Sequence, residues 1–245
     1  MRPAAVLVDL DGVLVDSQPV IERVWGRWAA MHGVEPGPLL AGLGGRRAGE
    51  TVRAFAPWLD AEGVAVRILD WECEDTDGVT ALPGARELLT AGALPVCVVT
   101  SGWPRLARAR LGAAGLPAGG PMVTGDQVAR GKPHPEPYLL GAARLGVPAA
   151  SCLVIEDAPA GIESGLAAGA TVWAVRTTHP EATLMRAHHR TATIASALQE
   201  LSLAGPAPPG RAAAPPRGQA LRAGAPRSPG RRAAGRTGRR SRTAA

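Results

Sequence analysis

The sequence predicts an α/β protein, a parallel sheet wrapped by helices and interrupted once by an all-helical insertion. Three observations predict it. Four short runs (4–8, 95–99, 151–155 and 171–175) are apolar throughout rather than alternating, as strands covered on both faces are. Helical patterns separate the later runs, which is the rhythm of parallel strands joined by crossovers. Residues 17–80 break that rhythm, following the first run with helical periodicity and no second strand.

Ala4-Ala5-Val6-Leu7-Val8 forms the first strand. In 17–80, Ile21, Val24, Trp25, Trp28 and Met31 share one helix face, and Val52, Phe55, Ala56 and Leu59 suggest a second helix. Trp25, Trp28, Phe55, Trp58 and Trp71, five of the eight aromatics, fall here and predict a small core of their own. Pro83-Gly84 opens a helix to about Ala91, and Pro95–Val99 is the second strand. Trp103-Pro104 opens another helix to about Leu111. Helices over 135–145 and 159–168 flank the third strand, Ser151–Ile155, and Thr171–Val175 is the fourth. Gly92, Gly146 and Gly169 stand where carboxyl-terminal caps belong. The expected organisation is a core of 1–16 and 81–204, a helical insertion of 17–80 and a tail of 205–245.

Charge divides the chain unevenly. The 245 residues carry a net charge of +6, yet residues 1–204 hold all 21 acidic residues and 17 of the 27 basic ones, for −4. The tail holds ten Arg and no acid, and 35 of its 41 residues are Ala, Arg, Gly or Pro, so it is expected to be disordered. Its scattered Arg attracts phosphate, but without interleaved aromatics or an RGG-type repeat nucleic-acid binding, which only this tail could support, is not expected. No run approaches the ~20 apolar residues of a transmembrane helix. The chain passes from Met1-Arg2-Pro3 straight into a strand, with no room for a signal peptide. Cys73, Cys97 and Cys152 have neither metal spacing nor a disulfide pattern, which fits a reducing compartment; a cytoplasmic location is expected.

Ligands in open α/β sheets gather beyond the carboxyl ends of the strands. Asp9-Leu10-Asp11-Gly12 follows the first predicted strand, Thr100-Ser101-Gly102 the second and Glu156-Asp157 the third. Lys132, the only lysine in the chain, lies in Gly131-Lys132-Pro133-His134-Pro135 before the 135–145 helix, where His134 is expected to brace the loop. Convergence on one rim suggests phosphoryl transfer. Packed carboxylates require a cation, and hard oxygen ligands favour Mg²⁺. Asp9 is placed to attack phosphorus, and Asp11 to protonate the leaving oxygen and then deprotonate water. Thr100 and the N–H groups of Ser101 and Gly102 can hydrogen-bond phosphate oxygens, while Lys132 offsets the charge.

These segments resemble the motifs of the haloacid dehalogenase superfamily, over about residues 1–203. Asp9-Leu10-Asp11-Gly12-Val13-Leu14-Val15-Asp16-Ser17 is similar to the first motif, Thr100 to the second, Lys132 to the third and Glu156-Asp157 to the fourth. The resemblance implies a Rossmann-like core with an inserted helical cap, and Mg²⁺ held by Asp9, the backbone carbonyl of Asp11 and Asp157, with Glu156 in support. An acid at Asp11 argues for a phosphate substrate over a halide, whose departure needs no proton. The absence of any lysine but Lys132 excludes Schiff-base chemistry in the cap.

The expected function is therefore a Mg²⁺-dependent phosphatase of a small sugar or polyol phosphate, working through an aspartyl-phosphate. One alternative is a phosphomutase resembling β-phosphoglucomutase; another is a non-catalytic fold that binds nucleic acid through its tail. Arg46 and Arg47 form the expected substrate loop of the cap, with Gly44 where similar phosphatases often place a histidine. Glu72, Glu74, Asp75 and Asp77 read as a solvated acidic hinge, and His188 and His189 as surface residues. A small phosphorylated substrate, no membrane and a monomeric state complete the expectation.

Overall fold

In the computed structural model, which describes residues 2–203, six parallel strands form a sheet in the order β5-β4-β1-β6-β7-β8. They are β1 (Ala5–Val8), β4 (Val96–Val99), β5 (Met122–Val123), β6 (Cys152–Glu156), β7 (Thr171–Val175) and β8 (His189–Thr191). The tail expected over 205–245 lies outside the described residues. β1 is central, in register with β4 on one side (Leu7 opposite Cys97) and β6 on the other (Leu7 opposite Val154). The chain runs outward from β1 to β5, then returns to β6 and runs outward the other way. This reversal leaves a crevice at the carboxyl end of β1, where ligands bind in such sheets.

Both faces of the sheet are covered, which explains the unbroken apolar strands. Val6 and Val8 point into one buried cluster with Val98, Leu111, Leu153 and Ile155. Ala5 and Leu7 point into the other with Cys97, Val99, Tyr138, Val154 and Ile162. The covering helices are α5 (Ala85–Thr90), α6 (Pro104–Ala113), α7 (Glu136–Arg144), α8 (Pro159–Ala167) and α9 (Ile194–Leu203). Gly92, Gly146 and Gly169 follow three of them with φ of 64°, 69° and 79°, the left-handed turn that ends a helix.

Two short strands, β2 (Val15–Asp16) and β3 (Thr80–Ala81), pair antiparallel, so the chain leaves and re-enters the core at one place. Between them stand α1 (Gln18–His32), α2 (Pro36–Ala41), α3 (Ala48–Phe55) and α4 (Ala61–Glu74). The α1 stripe buries Val20, Val24, Trp25, Trp28 and Ala29, with Trp25 and Trp28 edge to face at 5.6 Å. Met31 does not join it and is 55% exposed. It sits in the last turn of α1, and a shared face sets a direction without supplying a neighbour to cover it. No helix among the described residues is long and apolar enough to cross a membrane.

Leu7 is fully buried at the centre of the sheet. Leu7→Ala is expected to lower stability by about 2–5 kcal/mol in urea unfolding, from lost transfer energy and the cavity left behind.

Candidate active site

Every expected site residue on the core sits at the carboxyl edge of β1, β4 and β6. Asp9 follows β1 directly, its N–H donating to Ile155 O at 3.0 Å, so the sheet itself fixes its backbone. Asp157 follows β6, and Glu156 is its last residue. Lys132 reaches in from the loop before α7. Its Nζ donates to Asp9 Oδ1 at 2.8 Å, Glu156 Oε1 at 2.6 Å and Val99 O at 3.0 Å, which uses all three of its protons. Asp9, Lys132, Glu156 and Asp157 are all at most 5% exposed.

Glu156 is saturated by protein donors. Oε1 also accepts from Tyr138 Oη at 2.6 Å, and Oε2 accepts the N–H groups of Asp157 and Ala158 at 3.1 and 3.3 Å. It therefore orients Lys132 and the turn that carries Asp157. Thr178, after β7, donates to Asp157 Oδ2, and the neighbouring Thr177 donates to the carbonyl of Gly12. Sequence reasoning does not single out these two threonines. They lie just beyond the fourth predicted strand, where the rule that finds the other residues applies equally.

Three carboxylates and one ammonium leave this pocket with excess negative charge. Carboxylate oxygens of Asp9, Glu156 and Asp157 come within 4.8 Å of one another. Burial, reinforced by Glu156, pushes the Asp9 carboxyl from 3.8 up to about 7, against the opposing pull of Lys132. Burial and the same neighbour raise Asp157 well above the carboxylate range. Burial alone opposes the charge on Lys132, yet Asp9 and Glu156 outweigh it and raise its pKa. A cluster that holds protons this tightly is suited to an all-oxygen divalent cation, so the residues present fit such an ion.

Asp11 lines the cavity beside Asp9, with Oδ1 accepting from Ser17 Oγ at 2.7 Å and Oδ2 paired to Arg110 Nη1 at 2.7 Å. Thr100 is buried at the end of β4, and its Oγ1 accepts the Gly102 N–H at 3.1 Å. That amide is thus engaged within the loop, while the Thr100 hydroxyl keeps its own proton to donate. The Ser101 side chain reaches the insertion, donating to Gly45 O at 2.7 Å.

Above these residues lies a cavity of about 820 Å³, roofed by α1, α3, α4 and the 42–47 loop. Arg46 is exposed at its wall. Arg47 is half-buried, paired to Glu50, and donates to Val128 O and Ala129 O at 3.3 and 3.4 Å. One sequence expectation is overturned here. Glu72 is not part of a solvated hinge; it is 6% exposed and paired to Arg110 at 3.0 Å. Glu74 and Asp77 are exposed, and the half-buried Asp75 between them pairs with Arg23. The helical face of α4 turns Glu72 inward, which a count of consecutive acids cannot register. His189 likewise is half-buried, its ring 4.6 Å from that of Trp173. His179, also unanticipated, lines the cavity with its ring against Gly44.

A parallel sheet whose carboxyl edge carries clustered acids and a buried lysine under a helical roof defines a capped α/β enzyme. A family model described as haloacid dehalogenase-like hydrolase matches residues 3–169. Hexitol phosphatase A of Escherichia coli (strain K12) is 47% identical over 181 residues, spanning 71% of this chain and 84% of that protein. The 2-deoxyglucose-6-phosphate phosphatase 2 of Saccharomyces cerevisiae is 33% identical over 204 residues, 74% and 83% of the two chains. The crystal structure of a hydrolase from Pseudomonas syringae superposes with a TM-score of 0.74 at 25% identity, covering 82% of this chain and 98% of its own. The chain belongs to the haloacid dehalogenase-like hydrolase family. It is an enzyme, a phosphatase of that family.

Two outcomes test the geometry. The folded protein holds the Asp9 proton more tightly than the unfolded chain does. Its contribution is complete below the unfolded value near 4 and is lost as pH rises through about 7. Thermal melts in EDTA should show the melting temperature falling across that window, and Asp9→Asn should flatten the slope. Gly12 has φ of 76°, and a Cβ there would strike the carboxylate of Asp157. Gly12→Ala is expected to cut turnover at least tenfold while the far-ultraviolet circular dichroism stays unchanged, because the displaced group is Asp157.

Proposed function

We propose that the protein hydrolyses a small sugar or polyol phosphate monoester, with Mg²⁺ bound and an aspartyl-phosphate on Asp9. The observation that carries this reading is the Asp9–Lys132–Glu156–Asp157 cluster, whose Asp9 and Asp157 line a cavity roomy enough for a hexose-sized alcohol. The named activities of the relatives, on hexitol and 2-deoxyglucose phosphates, supply the substrate class.

Asp9, the backbone carbonyl of Asp11 and Asp157 would hold the ion, with Glu156 fixing the turn from behind. When bound, Mg²⁺ neutralises charge on the phosphoryl oxygens and on the cluster. Asp9 supplies the nucleophilic oxygen. Lys132 holds one Asp9 oxygen at 2.8 Å, which aims the other while offsetting the charge brought by phosphate. The Thr100 hydroxyl and the Ser101 N–H donate to phosphoryl oxygens. Asp11 protonates the departing alcohol, then takes a proton from the water that attacks the aspartyl-phosphate. Residues 17–80 act as a lid over the cavity, with Arg46 and Arg47 at the substrate's far end, and exclude bulk water during transfer. The reading carries with it a cytoplasmic enzyme acting as a monomer.

The test is phosphate release with Mg²⁺ from glucitol 6-phosphate, 2-deoxyglucose 6-phosphate and related monophosphates. Release should cease in EDTA, and Asp9→Asn should lower kcat by ~10³-fold or more. Borohydride trapping should mark Asp9. Conversion of β-glucose 1-phosphate to glucose 6-phosphate, primed by the 1,6-bisphosphate and without free phosphate, would overturn the hydrolase in favour of a mutase.

A further inference from the structure

Arg110 has no place in the chemistry described so far, yet it is one of the most deeply buried charges in the protein, 3% exposed on α6. Its fork divides between two carboxylates on different elements of the fold. Nη1 meets Asp11 Oδ2 at 2.7 Å in the core, and Nη2 meets Glu72 Oε1 at 3.0 Å on α4 of the insertion. Arg110 Nε is buried with no hydrogen-bond partner among the described residues. The orientation of the guanidinium therefore rests on those two carboxylates. All three residues line the cavity.

A buried charge pair is a poor device for stability, since apolar residues of similar size serve as well or better. It is a good device for geometry, because a planar fork fixes both partners in one plane. Among the described residues two groups hold Asp11, the Ser17 hydroxyl on Oδ1 and Arg110 on Oδ2. Ser17 and Arg110 together set the direction in which the carboxyl points. Glu72 arrives from α4, which packs on α6.

We propose that Arg110 is a positioning residue for Asp11, and that Glu72 holds it in place from the insertion, so that Asp11 is aimed at the leaving oxygen only while α4 is seated on α6. The proposal rests on the reading of Asp11 as acid and base. It gives the lid a second duty besides excluding water, since the lid supplies one anchor of the proton donor.

The experiment compares Glu72→Gln and Arg110→Lys with Asp11→Asn on two substrates. For glucitol 6-phosphate, whose alkoxide must be protonated to leave, kcat and KM are measured at steady state. For p-nitrophenyl phosphate, whose phenolate leaves without a proton, nitrophenolate release is followed in a single turnover with enzyme in excess. Both variants should lose about 10- to 100-fold in kcat on the hexitol phosphate with KM within about threefold, and lose at least tenfold less in the single turnover. Asp11→Asn should show the same pattern more strongly. Equal losses on the two substrates would mean a purely structural pair and would overturn the proposal, as would wild-type kcat in Glu72→Gln. Wild-type kcat in Asp11→Asn would instead remove the acid–base reading beneath it. Thermal melts establish that each variant is folded; if Arg110→Lys is not, Glu72→Gln carries the comparison.

Discussion

The contact on which the site depends is the buried ammonium of Lys132 against Asp9 and Glu156. Burying a cation is costly unless it is paired and hydrogen-bonded, and here every proton of Nζ has an acceptor. The three acceptors come from the ends of β1, β4 and β6, so the lysine ties the central strands together where they open into the cavity. The excess negative charge that remains suits the cluster to a divalent cation.

A second constraint is that insertion and core are joined by polar contacts as well as by packing. Ser101 donates to Gly45 O, Arg47 donates to Val128 O and Ala129 O, and Arg110 pairs with Glu72. Each joins a residue beside the clustered acids or their loops to the roof of the cavity. Such links are directional, so a small tilt of the roof breaks several at once, whereas apolar contacts would slide. The antiparallel pair β2–β3 narrows the motion open to the roof, because both connections leave the core together.

Much of this is legible in the sequence because the relevant signals are local. The four apolar runs match β1, β4, β6 and β7 to within a residue at either end, and one lysine meets the ends of the first three. Other features depend on partners far along the chain. β5 is two residues long, and β8 is His189-Arg190-Thr191, so neither carries an apolar run. β8 pairs with β7 alone at the sheet edge, where polar side chains reach solvent. Glu72 reads as one of several solvated acids because its partner, Arg110, lies 38 positions away. Thr178 stands just beyond the fourth run, but a threonine becomes a carboxylate's partner only once the ends of β6 and β7 are side by side.

The composition of the chain acquires a meaning once Lys132 is seen in place. Twenty-six of its 27 basic residues are arginine, so lysine stands at one position alone. At a solvated position exchanging one cation for the other is nearly free, since either side chain presents a positive charge to water. At residue 132 it is not. Val99 O, Asp9 and Glu156 surround a single nitrogen, and a tetrahedral ammonium can point one proton at each. A guanidinium is flat and larger, and could not serve three acceptors that converge on one point. The lone lysine thus marks a position where shape, not charge, decides.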